Sequence, residues 1–386
     1  MTLNVTIIGA INEVSIDAWN NLVDDDNPFA RFEFLNALEQ HHCVGQTFGW
    51  LPQHIIVKEN DQIIGASPMY LKNNSYGEFV FDWAWADAYH RSGIEYYPKL
   101  VTSIPYTPAT GARFLISNKQ RYQEISQLII DAALEHAKNL NISSMHWLFT
   151  NEDDTNQLEN TNLMLRLGCQ FHWKNNAYTD FDNYLTFFNS KNRKKIKRER
   201  RQVKEQSIDI EMHNGHSMTD ELWQCYHELY ASTFDKKSGM ATLSLAFFKS
   251  LGETMPNNVI IFFAKNNNDY VAAAFCLRGE KTLYGRHWGC NEEFDCLHFE
   301  LCYYQGLEYC IKNQLDYFEP GAQGEHKIYR GFLPTKTWSA HWVSHPEFNT
   351  IIRQHVEHET QAMEHYITDM QTHSPFKGSE RNQQTV

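Results

Sequence analysis

The densest group of chemically competent side chains lies in the run Glu319-Pro320-Gly321-Ala322-Gln323-Gly324-Glu325-His326-Lys327, followed by Arg330. Pro320, Gly321 and Gly324 forbid a helix there and leave backbone N–H groups available to an anion or a developing oxyanion. Glu325 and His326 form an acid/base pair, and Lys327 and Arg330 supply fixed positive charge. Acyl transfer needs a base for the proton of an attacking amine and donors for the tetrahedral oxyanion, and this segment holds both. The plainer alternative is a tight turn whose charges pair with one another; the density of reactive groups favours a site.

Other candidates are spread along the chain. Tyr284, Arg286 and Trp288 alternate on a β-rich run, so they are predicted to share one face suited to an anionic or planar ligand. A packed strand with Arg286 paired to Glu300 or Glu319 is the competing reading. Glu300 opens a predicted helix with Tyr304 four residues on, which makes Glu300 and Glu319 further substrate-binding candidates. Asp82, Trp83, Trp85, Asp87 and Tyr89 form an acid–aromatic patch of the kind that binds sugars, amines or peptides, or a structural edge with buried tryptophan. The run 191–204 (KNRKKIKRERRQVK) carries nine basic side chains and the single acid Glu199. Lys194, Lys195 and Arg198 are its phosphate-binding candidates, against a solvated helix face. His287, His298, His326 and His341 show neither HxH nor HExxH spacing, so no metal is expected. No GxSxG element supports a serine or cysteine nucleophile.

Net charge is −13, from 34 basic and 47 acidic residues, which excludes a general nucleic-acid coat and a DNA partner while allowing one local anion site. The eight cysteines show no CxxC spacing, which points to a reducing compartment and a cytoplasmic location. The first residues lack the basic and apolar regions of a signal peptide, and no apolar stretch reaches the roughly 20 residues of a membrane helix. The polar end beyond residue 371 is predicted to be disordered.

These side chains need a scaffold, and two passes of one element order supply it. In the second half, strands at 259–265, 270–277 and 282–288 precede a helix at 298–313 and a strand at 315–319. In the first half, strands at 55–58 and 63–71 and an aromatic segment precede a helix at 123–140 and a strand at 144–149. A short helix around 163–167, a turn at Gly168 and a strand at 170–175 follow. The expected division is 1–185 and 186–371, with 372–386 as tail, and the fold class is α/β (α+β) with mixed sheets.

Strand meander, helix, strand, helix, strand resembles the GNAT acyltransferase fold, and two such domains in tandem resemble the FemAB group, which adds amino acids to peptidoglycan precursors. The segments NPFARFEFL (27–35), KKIKR (194–198), RLGC (166–169) and KIYRGF (327–332) match local features of these proteins. SYGEFVFDWAWADAY (75–89), YYPKL (96–100), PYTPATG (105–111), LYGRHWG (283–289), LHFELCYYQG (297–306) and FEPGAQGEHKIYRGF (318–332) resemble blocks of the FemAB-like N-acyltransferases of Gram-negative bacteria. The resemblance implies N-acyl or aminoacyl transfer to a small-molecule or peptide amine, cell-wall-related acceptors included, by direct attack and without a tightly bound cofactor. Glu325 or His326 would be the base and Lys327 the oxyanion donor. A GNAT pyrophosphate loop is missing, so acyl-CoA and aminoacyl-tRNA both stand as donor, with tRNA as a partner in the second case. A non-catalytic module that binds a peptide or cell-wall fragment is the alternative. In the GNAT fold the fourth and fifth strands splay, and Arg286, Glu300, Glu319, Glu325, His326, Lys327 and Arg330 are expected to line that one cleft.

Overall fold

A computed structural model describes residues 3–23, 27–236, 239–322 and 324–378. Two compact units divide the chain: 1–169 with 336–365, and 170–335 with 366–386. The split therefore falls at 169/170 rather than 185/186, and a C-terminal segment returns to the first unit.

The first unit opens with β1 (Leu3–Ile8), α1 (Ile16–Asn20) and α2 (Phe32–Gln40). Strands β2 (Trp50–Pro52), β3 (His54–Glu59), β4 (Gln62–Ser67) and β5 (Met69–Lys72) follow, then α3 (Trp83–Arg91), β6 (Lys99–Thr102) and β7 (Leu115–Ile116). After α4 (Tyr122–Asn139), β8 (Ser144–Thr150) and α5 (Glu152–Glu159) comes β9 (Met164–Lys174), which passes into the second unit. There follow α6 (Phe181–Thr186), α7 (Ser190–Glu205), β10 (Ile208–Asn214), α8 (Asp220–Asp235) and α9 (Leu245–Thr254). The strands β11 (Val259–Asn266), β12 (Asp269–Arg278) and β13 (Thr282–Cys290) lead to a helical segment. It is made of α10 (Leu297–Phe299), a π-turn (Glu300–Tyr304) and α11 (Gln305–Lys312). The chain ends with β14 (Tyr317–Glu319), a 3-10 helix (Glu325–Arg330), β15 (Leu333–Val343) and α12 (Pro346–Thr372).

In the first unit β1-β3-β4-β7 form one sheet, and β6 pairs parallel with β8 and antiparallel with β5 in another. Helix α4 buries Ile125, Ile129 and Ala133 at helical spacing against Ile55, Val57, Met145 and Trp147. The short helix expected around 163–167 is instead the beginning of β9, and Gly168 lies inside that strand. The helix sits earlier, at α5, where the Asn151 side chain accepts from the Asp154 N–H and three acids occupy the first turn.

In the second unit β10, β11, β12 and β13 form an antiparallel meander, and β14 adds to β13 in parallel. Tyr226, Phe248 and Phe275 pack edge-on or tilted where α8 and α9 cover this sheet. A Cβ at Gly289 would lie 1.9 Å from the Leu229 carbonyl oxygen, so β13 and α8 meet backbone to backbone. On the predicted tail, Phe376 is buried and packs on Phe188 at 4.8 Å, so 372–378 are ordered by packing; the rest of that tail lies outside the described residues. Gly289→Ala should force α8 away from the sheet and cost about 1–3 kcal/mol, the usual range for overpacking. Urea denaturation at constant m-value checks this; wild-type stability would contradict the close approach.

Candidate active site

Strands β13 and β14 stay together for three residue pairs: Thr282 with Tyr317, Leu283 with Phe318, and Tyr284 with Glu319. Pro320 directly follows β14 and has no N–H to continue the ladder. Opposite it, the β12–β13 register steps from Cys276↔Gly285 to Phe275↔His287, so Arg286 is the extra residue of a β-bulge. Both devices act at one level, and the strands part there.

A cavity of about 240 Å³ occupies the gap. Its walls are Cys276, Arg286 and Trp288 from the sheet, His298, Cys302 and Tyr303 from the helical segment, and Gly321, His326 and Lys327 from the chain beyond β14. Of the predicted cleft residues, the structure brings together Arg286, His326 and Lys327, and Trp288, predicted only to share a strand face with Arg286, joins them. The alternation rule that grouped Tyr284 with Arg286 and Trp288 fails at the bulge, and Tyr284 is buried in the strand away from the cavity walls.

Lys327 is 2 % exposed. Its ammonium donates to the Gly321 carbonyl at 2.6 Å, and burial pushes its pKa down to about 8. His326 shares a 2.9 Å hydrogen bond through Nε2 with the Tyr303 hydroxyl. Burial, then the charges of Arg330, Lys327 and Lys195, hold it below the ordinary histidine value, so the imidazole is neutral at pH 7. Arg286 is lowered to about 10 by burial, with Glu319 acting in the opposite sense, and stays charged at neutral pH.

The other predicted cleft residues have different work. Arg330 is buried and donates to both oxygens of Glu199 at 2.8 and 2.9 Å, to Tyr304 Oη at 3.0 Å and to the His326 carbonyl at 2.8 Å. Its guanidinium also covers the Phe299 ring at 3.5 Å. Removing either charge would leave the other buried and unpaired, a loss of about 3–5 kcal/mol. Glu300, on the π-turn, is clamped by Arg200, which also binds Glu308. Glu319 ends β14 with His172 3.9 Å away and is not a wall residue. Glu325 points elsewhere and accepts from the Tyr366 hydroxyl at 2.8 Å.

On α7 the buried stripe is Asn192, Ile196, Glu199 and Val203. Lys194 and Arg198 are exposed, and Lys195 lies 5.3 Å over the Tyr329 ring. The acid on that stripe was the legible sign of a buried cationic partner, and the partner is Arg330.

In the first unit the predicted acid–aromatic patch does not face solvent as a unit. Asp82 is 3 % exposed and binds Lys99, which also donates to Glu78 at 2.8 Å and Ser75 at 2.9 Å. Although burial opposes it, Lys99 holds Asp82 well below the usual carboxylate range, while burial raises Glu78 to about 7. Trp85 is buried edge-on against His341 at 5.1 Å. Both are buried, and the half-exposed ring of the patch is Trp83. Sequence reasoning passed over the wall residues Tyr303 and Cys302, and weighed His298 as a metal ligand. Among the described residues no group of histidine, cysteine or acidic side chains could hold a metal.

A family model described as FemAB-like, peptidoglycan biosynthesis/recognition, matches residues 10–378. Among solved structures, that of FemX is 11% identical with a TM-score of 0.52, covering 92% of this chain and 100% of its own. The C-terminal domain of a putative lysylphosphatidylglycerol synthetase from Agrobacterium fabrum is 6% identical with a TM-score of 0.55, covering 88% and 96%. The L-PGS structure from Bacillus licheniformis is 9% identical with a TM-score of 0.50, covering 88% and 98%. No curated protein matches. The fold is α/β with mixed sheets, and it is shared with these structures over most of the chain. The family match carries no restriction to Gram-negative bacteria.

The depressed Lys327 value has a measurable sign. The folded state binds fewer protons than the unfolded chain between about pH 8 and the ordinary lysine value, so Lys327 costs stability below pH 8 and that cost fades as pH rises. The stability of wild type relative to Lys327→Met should therefore climb between pH 7.5 and 10.5 in denaturation curves. A flat difference would mean an ordinary, solvated amine.

Proposed function

The chain belongs to the FemAB-like family, and on that premise we propose that it is an N-acyltransferase whose chemistry occurs in the cavity between β13 and β14. The observation that carries this reading is the pairing, in one gap, of a neutral histidine with a buried ammonium.

An amine attacks the carbonyl carbon of the donor ester or thioester. The new C–N bond forms, the C–O or C–S bond breaks, and the amine proton passes to His326 and from it to the departing oxygen or sulfur. Lys327, already fixed on the Gly321 carbonyl, faces the developing oxyanion without reorganising. Arg330 positions the base by holding the His326 carbonyl. Glu325 has no part in this scheme, because it lies against Tyr366.

The donor we favour is aminoacyl-tRNA rather than acyl-CoA. Lys194, Lys197, Arg198, Arg201 and Lys204 stand exposed on α7, an extended cationic face suited to a polyphosphate backbone. The acceptor is a peptide or peptidoglycan-precursor amine, in keeping with the family description. All eight cysteines are free thiols, which fits a cytoplasmic setting where charged tRNA is available. No helix of the described residues is long and apolar enough to cross a membrane.

Transfer of radiolabelled aminoacyl groups from a charged-tRNA pool, or of acyl groups from acyl-CoA, to an amine and peptide library tests the reading. His326→Ala should lower turnover by about two to four orders of magnitude, and Lys327→Ala by about two to three. Glu325→Gln should remain near wild type. Full activity in His326→Ala and Lys327→Ala would exclude this cavity, and no transfer from any donor would leave a binding module.

A further inference from the structure

The proposed base, His326, has only one ring nitrogen engaged by the protein. Its Nε2 shares a 2.9 Å hydrogen bond with the Tyr303 hydroxyl, and its Nδ1 has no partner among the described residues. Burial decides which of the two atoms donates. Tyr303 is 3 % exposed, and among the described residues Nε2 is the one hydrogen-bond partner of its hydroxyl. Burial also pushes the phenol above the ordinary tyrosine pKa, so it keeps its proton at neutral pH. A buried O–H without an acceptor is costly, whereas an N–H on an exposed ring finds water. His326 is exposed. Tyr303 therefore donates to Nε2, and the proton of the neutral imidazole sits on Nδ1.

Both rings are held where they are. Tyr303 lies on the π-turn, a rare distortion of a helix that is frequent at functional sites. Its ring stacks on Phe299 at 6.2 Å and meets Phe332 and His298 edge-on, each at 5.5 Å. A Cβ on Gly324 would stand 2.4 Å from Cε1 of His326 and 2.8 Å from Nδ1, so glycine is what leaves room for the imidazole.

This arrangement leaves His326 without a vacant basic nitrogen, since Nδ1 carries the proton and the Nε2 lone pair is taken by the tyrosine. The Tyr303 oxygen keeps lone pairs of its own, and both side chains line the cavity. We propose that Tyr303 is a catalytic residue of the transfer: its oxygen takes the proton of the attacking amine as its own proton moves to His326 Nε2. This rests on the transfer reading of the cavity and supplies its proton path. One proton enters Tyr303 and one leaves, so it remains a neutral phenol while His326 becomes the imidazolium. The charges of Arg330 and Lys327 disfavour that cation, and the proton returns through the same pair to the departing oxygen or sulfur.

Proton–nitrogen correlation spectra of the full chain labelled with nitrogen-15 histidine read the tautomer without any substrate. His326 is assigned from the signal missing in His326→Ala. Above the ordinary histidine pKa, wild type should show the Nδ1–H form. In Tyr303→Phe, where Nε2 has lost its donor, the spectrum should move toward the Nε2–H form. In the transfer assay Tyr303→Phe should lower kcat by about 100-fold with KM little changed. An Nε2–H tautomer in wild type overturns the inference, and that measurement needs no variant to fold. An unchanged tautomer or wild-type turnover in Tyr303→Phe overturns it as well. The two readings fail separately. Absence of transfer from every donor by the wild-type chain sinks the transfer reading and the relay with it, whereas transfer undiminished in Tyr303→Phe sinks the relay alone.

Discussion

Two strands that cannot stay paired create the cavity. After Tyr284 and Glu319, Pro320 offers no N–H on one side and the bulge at Arg286 displaces the register on the other. A strand pair that closed here would fill the space with backbone. Because the pairing stops, Arg286 and Trp288 turn their side chains into an interior gap that the helical segment and the chain after β14 then enclose.

Enclosure needs the segment 325–330 to be held firmly, and the ion pair between Arg330 and Glu199 does this. One guanidinium satisfies a carboxylate, a tyrosine hydroxyl and the His326 carbonyl, so the 3-10 helix carrying His326 and Lys327 is tied to α7. Gly331, at φ +91, then turns the chain into β15 where a Cβ would lie 1.9 Å from the Tyr184 hydroxyl. The surroundings set the chemical state of the two residues: burial lowers Lys327, and neighbouring cations with burial keep His326 neutral. The first unit has its own buried charge cluster at Lys99, fully enclosed by Ser75, Glu78 and Asp82, and there the ions fix loops to a sheet.

The repeated element order was legible because strand runs and the stripe of α4 obey simple periods, and the 319–330 segment stood out by residue type. What was not legible depended on contacts distant in sequence. Glu300 and Arg330 have the composition of site residues, yet Arg200 and Glu199, about 100 and 130 positions away, engage them. Asp82 likewise required knowledge that Lys99 lies beneath it. The bulge at Arg286 defeated strict alternation, and strand pairing that ran on past Gly168 defeated the expected turn. The returning segment 336–365 could not be foreseen from local pattern, because its contacts are made with strands nearly two hundred residues earlier.

The central claim is that the reacting carbonyl sits between β13 and β14 beside Lys327. A crystal structure of the protein with a non-hydrolysable donor analogue, an amide in place of the labile ester or thioester, tests it most directly. The account predicts the analogue's carbonyl oxygen within hydrogen-bonding distance of Lys327 Nζ, with His326 on the open side of the carbonyl carbon. An analogue seated elsewhere, for instance in the groove of the first unit beside Tyr97, with the β13–β14 gap empty, would contradict it.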